Sequence, residues 1–130
     1  MIVLDASALV DWLLRTSAGK QIDRRIYARG ETLHAPHLLD LEVAQVVRRM
    51  VREATLSPQR ADQVIQDLFD LRLTRYPHFL LLPQIWRLRH NLSAYDASYI
   101  ALAEHLGATL LTRDARLASS VGHGAAIEVF

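Results

Sequence analysis

This chain of 130 residues contains no cysteine. Disulfides and thiolate metal ligands are therefore excluded, and a reducing, cytoplasmic setting is expected. Lysine is nearly absent: Lys20 is the only one, and arginine carries almost all the positive charge. With a formal net charge of +1, the chain lacks the strongly basic footprint of a dedicated nucleic-acid binder, although Arg48, Arg49, Arg52, Arg60, Arg72, Arg75, Arg87 and Arg89 fall in its middle third. There are five glycines, and none lies in a G-x-x-x-x-G-K phosphate loop. The six histidines include no pair at zinc-helix spacing. Neither a nucleophile elbow nor an apolar run near the ~20 residues of a membrane span is present. No signal peptide is expected, because Asp5 and Asp11 interrupt the apolar N-terminus and no basic region precedes it.

What remains is an ordinary globular composition, 51% hydrophobic and 22% charged, without linkers or repeats. Residues 1–130 are expected to form a single domain. Short, continuous apolar runs predict strands at Ile2–Leu4, Leu33–Ala35, Phe79–Leu82, Thr109–Leu111 and Ile127–Val129, in the manner of parallel strands buried on both faces. Helical patterns fill the gaps: Ala8–Leu14, Lys20–Arg29, Leu38–Glu53, Pro58–Leu71, Gln84–His90, Tyr95–Leu106 and Ala115–Ser119. Ser57 with Pro58 marks one helix start, and Gly107 marks a helix end. Alternating strand and helix predicts a three-layer α/β/α sandwich with a central, mainly parallel five-stranded sheet. The consecutive helices 38–53 and 58–71 form an inserted hairpin.

Carboxylates stand at the strand-to-helix transitions: Asp5, Glu42, Asp96 and Asp114. In open α/β sheets, sites form outside the carboxyl ends of the strands. Each acid also has a plainer reading. Asp5 and Asp114 fit helix N-caps, and Asp96 fits a capping box with Ser93. Glu42 stands inside its helix, where no cap explains it; a salt bridge to Arg49 or another arginine is its alternative. Asp11, Asp40, Asp62 and Asp67 serve as controls, expected to face water. Ser7 and Thr112 stand two residues from Asp5 and Asp114, placed to orient a carboxylate or a coordinated water. His34 and His37 are expected to be structural or at the rim, and Trp12, Trp86, Tyr95 and Tyr99 to be core or interface.

Acids forced together repel one another unless a cation lies between them. Oxygen-only donors favour Mg²⁺ or Mn²⁺ over zinc. Such an ion polarises a phosphoryl oxygen and lowers the pKa of water, which suits phosphodiester hydrolysis.

The segments around these acids carry a resemblance. Val3-Leu-Asp-Ala-Ser-Ala-Leu-Val10 resembles the opening of PIN-domain nucleases. Leu41-Glu-Val-Ala-Gln-Val-Val-Arg-Arg49, Leu92–Gly107 and Leu110-Leu-Thr-Arg-Asp-Ala-Arg-Leu117 resemble their second, third and fourth acidic motifs. Within that family the length and motif details resemble VapC-type toxins. The resemblance implies a Mg²⁺- or Mn²⁺-dependent endoribonuclease, a homodimer, and a VapB-type antitoxin that inserts a basic side chain among the acids. It implies that Asp5, Glu42, Asp96 and Asp114 bind metal and catalyse, with Ser7 and Thr112 orienting them, and that the substrate is RNA, with transfer RNA foremost. Gln45 departs from the asparagine of many relatives, with altered hydrogen bonding around the ligands expected. Rival readings are an RNA-processing nuclease without an antitoxin, and a non-catalytic RNA- or protein-binding domain. An aspartyl phosphatase is a further rival, disfavoured because Ser7 stands where its second acid belongs.

Overall fold

Three strands supply the middle of the sheet because their side chains are apolar on both faces. In the computed structural model, which describes Met1 to Phe130, β1 (Ile2–Leu4), β2 (Leu33–Pro36) and β4 (Thr109–Thr112) are almost wholly buried. The edges are β3 (Leu73–Tyr76) and β5 (Ala126–Val129), both half-exposed. The order is β3-β2-β1-β4-β5, and every pairing is parallel.

Helices cover both faces, as expected of a three-layer α/β/α sandwich. Against one face lie α1 (Ala6–Leu13), α2 (Ser17–Tyr27), α3 (Leu38–Arg52) and α4 (Pro58–Asp70), which pack on one another. Against the other lie α5 (Leu82–Arg87) and α6 (Ala94–Leu106), with α6 crossing β1, β2 and β4. Residues Ala97–Ala103 of α6 are all buried, and their mostly small side chains let this helix lie close to the sheet. A short helix, α7 (Ala115–Ser119), leads into β5. The expected signals operate: the Ser57 hydroxyl accepts from the Arg60 amide, and Gly107 ends α6 at φ 61°. No helix is long and apolar enough to cross a membrane.

One strand lies elsewhere than its apolar run suggests. Residues Phe79–Leu82 were expected to form the third strand; instead Phe79–Leu81 make a 3-10 turn and Leu82 opens α5. The strand is Leu73–Tyr76, which bonds to β2 alone. An edge strand does not need two apolar faces, so Thr74 and Arg75 disguise it. Pro77 then stops the ladder, and Pro83 at the start of α5 favours a helix. Phe79, Leu80 and Leu82 are exposed rather than core.

The close approach of α1 and α2 depends on Gly19. A Cβ there would stand 1.9 Å from the Asp11 carbonyl oxygen. Backbone cannot yield as a side-chain tip can, so Gly19→Ala is expected to cost at least about 2 kcal/mol, toward the upper end of overpacking penalties. A urea unfolding midpoint unchanged from wild type would contradict this.

Candidate active site

The sheet reverses its winding at β1. The chain steps from β1 outward to β2 and β3, then returns to the other flank of β1 as β4. At such a switch point the connections leave the sheet on opposite faces and open a crevice at the carboxyl ends. Asp5 follows β1, Asp114 follows β4, Glu42 enters from α3 and Asp96 from α6.

Asp5 is the most enclosed of the four, 6% exposed. Its amide bonds to the Leu111 carbonyl at 3.3 Å, which extends β1 beside β4. The Ser7 hydroxyl donates to its Oδ1 at 2.7 Å, the Ala8 amide donates to the same oxygen at 2.9 Å, and the buried Thr112 hydroxyl donates to Oδ2. Thr112 Oγ1 in turn accepts from the Asp114 amide at 2.9 Å, and Ser7 Oγ from the Arg113 amide at 2.9 Å. Ser7 and Thr112 thus both orient Asp5 and tie the two loops together. Asp5 also caps α1, so the plainer reading holds alongside the site. Burial raises its pKa, and Asp114 adds to the rise.

Glu42 forms no salt bridge to Arg49 or to any other arginine. The Tyr99 hydroxyl, reaching across from α6, donates to its Oε1 at 2.5 Å. Burial, and the charges of Asp5 and Asp96, raise the Glu42 pKa. Tyr99 is itself buried, and desolvation together with the Glu42 carboxylate pushes its phenol far above the ordinary range, so it stays a donor. Tyr99 is core, as expected from the sequence, and in addition holds a candidate site residue. Its signal was present: it stands three residues after Asp96, on the same helical face.

The capping box at Asp96 forms only by half. The Ser93 hydroxyl accepts from the Asp96 amide at 3.1 Å, but the Asp96 carboxylate returns no bond and is left free at the crevice. Asp114 is gripped by Arg116, which holds its pKa below the usual carboxylate range. Arg116 was also overlooked, although it stands two residues from Asp114.

The control acids separate from the site, though three, Asp11, Asp40 and Asp67, are half-buried and so less solvated than expected. Asp11 is half-buried and pairs with Arg113 at 2.6 Å; Asp40 is half-buried and takes a two-pronged contact from Arg75. Asp62 is exposed, and Asp67 accepts from Gln63. His34 is structural, fixed between Thr32 and Tyr76 at 2.8 Å each. Gln45 is exposed, so its extra length touches none of the acids' hydrogen bonds. Trp12 donates to Asp23 at 2.8 Å, whereas Trp86 and Tyr95 are exposed and not core.

Asp5 and Asp96 lie near enough to Glu42, and Asp114 near enough to Asp5, for their charges to be felt, yet no group of three stands at the spacing of ligands around a single ion. Their chemistry still fits a hard divalent cation. All donors are carboxylate oxygens, burial and to a lesser extent neighbouring acids raise two of them, and ions such as Mg²⁺ keep several waters rather than demanding a closed protein cage.

Comparison with known proteins identifies the family. Residues 2–121 match the PIN domain family. Ribonuclease VapC12 of Mycobacterium tuberculosis (strain ATCC 25618 / H37Rv) is 42% identical over 129 residues, covering 99% of this chain and 98% of the relative. Ribonuclease VapC1 of the same strain is 41% identical over 121 residues, covering 92% and 90%. Among solved structures, DNA-bound VapBC from Salmonella typhimurium superposes with a TM-score of 0.73 at 16% identity, covering 98% of this chain and 96% of that one. PAE2754 from Pyrobaculum aerophilum gives 0.70 at 25% identity, covering 98% and 83%. This chain therefore belongs to the PIN-domain family and, within it, to the VapC ribonucleases.

Proposed function

We propose that this chain is the toxin of a toxin–antitoxin pair, a Mg²⁺- or Mn²⁺-dependent endoribonuclease acting in the cytoplasm and held inactive by a VapB-type antitoxin. One observation carries the reading: Asp5, Glu42, Asp96 and Asp114 arrive from separate elements at one sheet edge, where the charges of Asp5 and Asp96 bear on Glu42 and that of Asp114 on Asp5. Capping accounts for Asp5 and Asp114, but not for Glu42 or for the unengaged Asp96 carboxylate.

Asp5, Glu42 and Asp96 would hold the ion directly or through water, with Asp114 completing the set. A bound Mg²⁺ or Mn²⁺ supplies Lewis acidity to a phosphoryl oxygen and lowers the pKa of water for in-line attack. The chain's own residues provide the preorganisation. Ser7, Thr112 and the α1 amide fix the Asp5 carboxylate. Tyr99 fixes Glu42 from the opposite layer, so the crevice width is set by packing rather than by loops. Without a cation the acids would repel an RNA backbone; a divalent ion reverses that sign locally. The same logic suits an antitoxin that presents a basic side chain to the crevice. Exposed Phe79, Leu80, Leu82 and Trp86 offer an apolar surface suited to a homodimer.

The direct test is cleavage of RNA by the purified protein, with transfer RNA tried first. Cleavage is expected with Mg²⁺ or Mn²⁺, not in EDTA, and not after addition of antitoxin. Cleavage persisting in EDTA would exclude the metal-dependent reading. Tyr99→Phe is expected to reduce cleavage and Mn²⁺ affinity by about 10- to 100-fold, as loss of a ligand-orienting partner does. Its stability cost is about 1 kcal/mol. Loss of stability with unchanged Mn²⁺ affinity would make Tyr99 purely structural.

A further inference from the structure

Three of the four acids have only neutral hydrogen-bond partners or none: hydroxyls and an amide at Asp5, a phenol at Glu42, nothing at the Asp96 carboxylate. Asp114 alone is matched by a full cation. Arg116 Nε lies 3.0 Å from Oδ1 and 3.2 Å from Oδ2, Nη2 lies 2.6 Å from Oδ2, and the Arg116 amide donates to Oδ1 at 2.9 Å. A carboxylate has about four lone-pair directions. Here three N–H groups make four contacts, two on each oxygen with the Nε–H shared between them, so little of the carboxylate is open to another cation.

The amide contact belongs to the α7 cap and is compatible with a metal on the remaining lone pairs. The guanidinium contacts are not. Yet Arg116 is 82% exposed at its side chain, so neither packing nor burial retains it. Exposed ion pairs of this kind are weak and exchange readily. Arg116 also lies near enough to Asp96 to feel its charge. Arg113, in the same loop, does something different: it pairs with Asp11 at 2.6 Å and reaches the Phe130 carbonyl, tying the loop to α1 and to the end of the chain.

We propose that Arg116 is a built-in, displaceable counter-cation of the acidic site, which occupies Asp114 in the metal-free protein and must leave that carboxylate before a divalent ion takes it. The inference rests on reading the four acids as metal-binding. It makes Arg116 a residue that tunes metal occupancy, not a catalytic one. Removing the guanidinium leaves only the amide contact on the Asp114 carboxylate and lowers the local positive charge, so the ion should bind more tightly without Arg116.

The test is Mn²⁺ binding to the full chain, followed by calorimetry at near-physiological ionic strength, for wild type, Arg116→Ala and Arg113→Ala. Arg116→Ala is expected to bind on the order of three- to fivefold more tightly, the upper range for an exposed pair. Arg113→Ala should remain close to wild type. In wild type, the Arg116 Nε–H resonance should move as Mg²⁺ saturates the protein. Unchanged or weaker binding by Arg116→Ala, an equal gain in Arg113→Ala, or an unmoved Arg116 resonance would each overturn the displacement inference while leaving the site reading intact. Failure of all three proteins to bind Mn²⁺ would overturn the site reading, and this inference with it.

Discussion

Asp5→Asn is expected to lower RNA cleavage by more than about a hundredfold while leaving the chain folded. Even partners that only orient a metal ligand cost up to about that factor, and Asp5 is proposed as a ligand itself. The substitution is nearly isosteric. Asparagine keeps an oxygen for the Ser7 hydroxyl and the Ala8 amide, and it is as good an N-cap for α1 as aspartate. On the other side, its amide nitrogen would face Thr112 Oγ1, a hydroxyl that can accept as well as donate. Burying a neutral amide also removes the desolvation that raises the Asp5 pKa. In EDTA the variant should therefore melt within about 2 °C of wild type or higher. RNA ends sequenced after induced expression, wild type beside Asp5→Asn, give the readout in cells. Full cleavage by a folded Asp5→Asn protein would sink the mechanism.

Mn²⁺ at a hundred times its dissociation constant should raise the melting temperature by roughly 10 °C near neutral pH, and the increment should shrink on acidification. The magnitude follows from mass action: a ligand bound only by the native state contributes about 2.7 kcal/mol at that excess, and a domain of this size gains a few degrees per kcal/mol. The pH trend follows from Asp5 and Glu42, whose pKa values are raised in the folded protein. Between the ordinary carboxylate range and those raised values, the native state holds more protons than the unfolded chain. The contribution of these two acids to stability is thus fully present below the ordinary range and is lost as pH rises through the raised values. Metal binding needs the ionised forms, so it strengthens over the same interval and offsets the loss. Asp114 runs the other way: its pKa is lowered by Arg116, and its contribution disappears as pH falls below the ordinary range. Melting curves in EDTA and in Mn²⁺ across a pH series check both trends. No increment at neutral pH, or one that grows toward acid, would contradict the assignment. Asp5→Asn should lose most of the increment.

Some of this was legible in the sequence because it rests on local chemistry. Buried parallel strands announce themselves by short continuous runs, as at Ile2–Leu4 and Thr109–Leu111, the latter extended by one residue in the structure. The Ser57 cap and the Gly107 stop depend on neighbours within a few residues, so they were read correctly. The third strand was misplaced because an edge strand has one face in solvent and an apolar run, Phe79–Leu82, exposed at all but Leu81, imitated a buried one. Asp40 looked exposed because its partner, Arg75, lies 35 residues away on that same misplaced strand.

The sequence by itself singled out the residues proposed to supply the chemistry: oxygen donors only, Asp5 and Asp114 at strand-to-helix junctions and Glu42 and Asp96 near the starts of helices, in segments ordered as in PIN nucleases. It also established the three-layer class, because the alternation of apolar runs and helical periods is written residue by residue. Only the tertiary structure decided who holds whom. Tyr99 reaches Glu42 across 57 residues and two layers, Thr112 reaches Asp5 across 107, and Asp96 is left free while Asp114 is matched by Arg116. Those pairings depend on strand order and helix placement, which bring distant side chains within hydrogen-bond reach, and no local pattern encodes a distance between elements that meet only when the sheet is assembled.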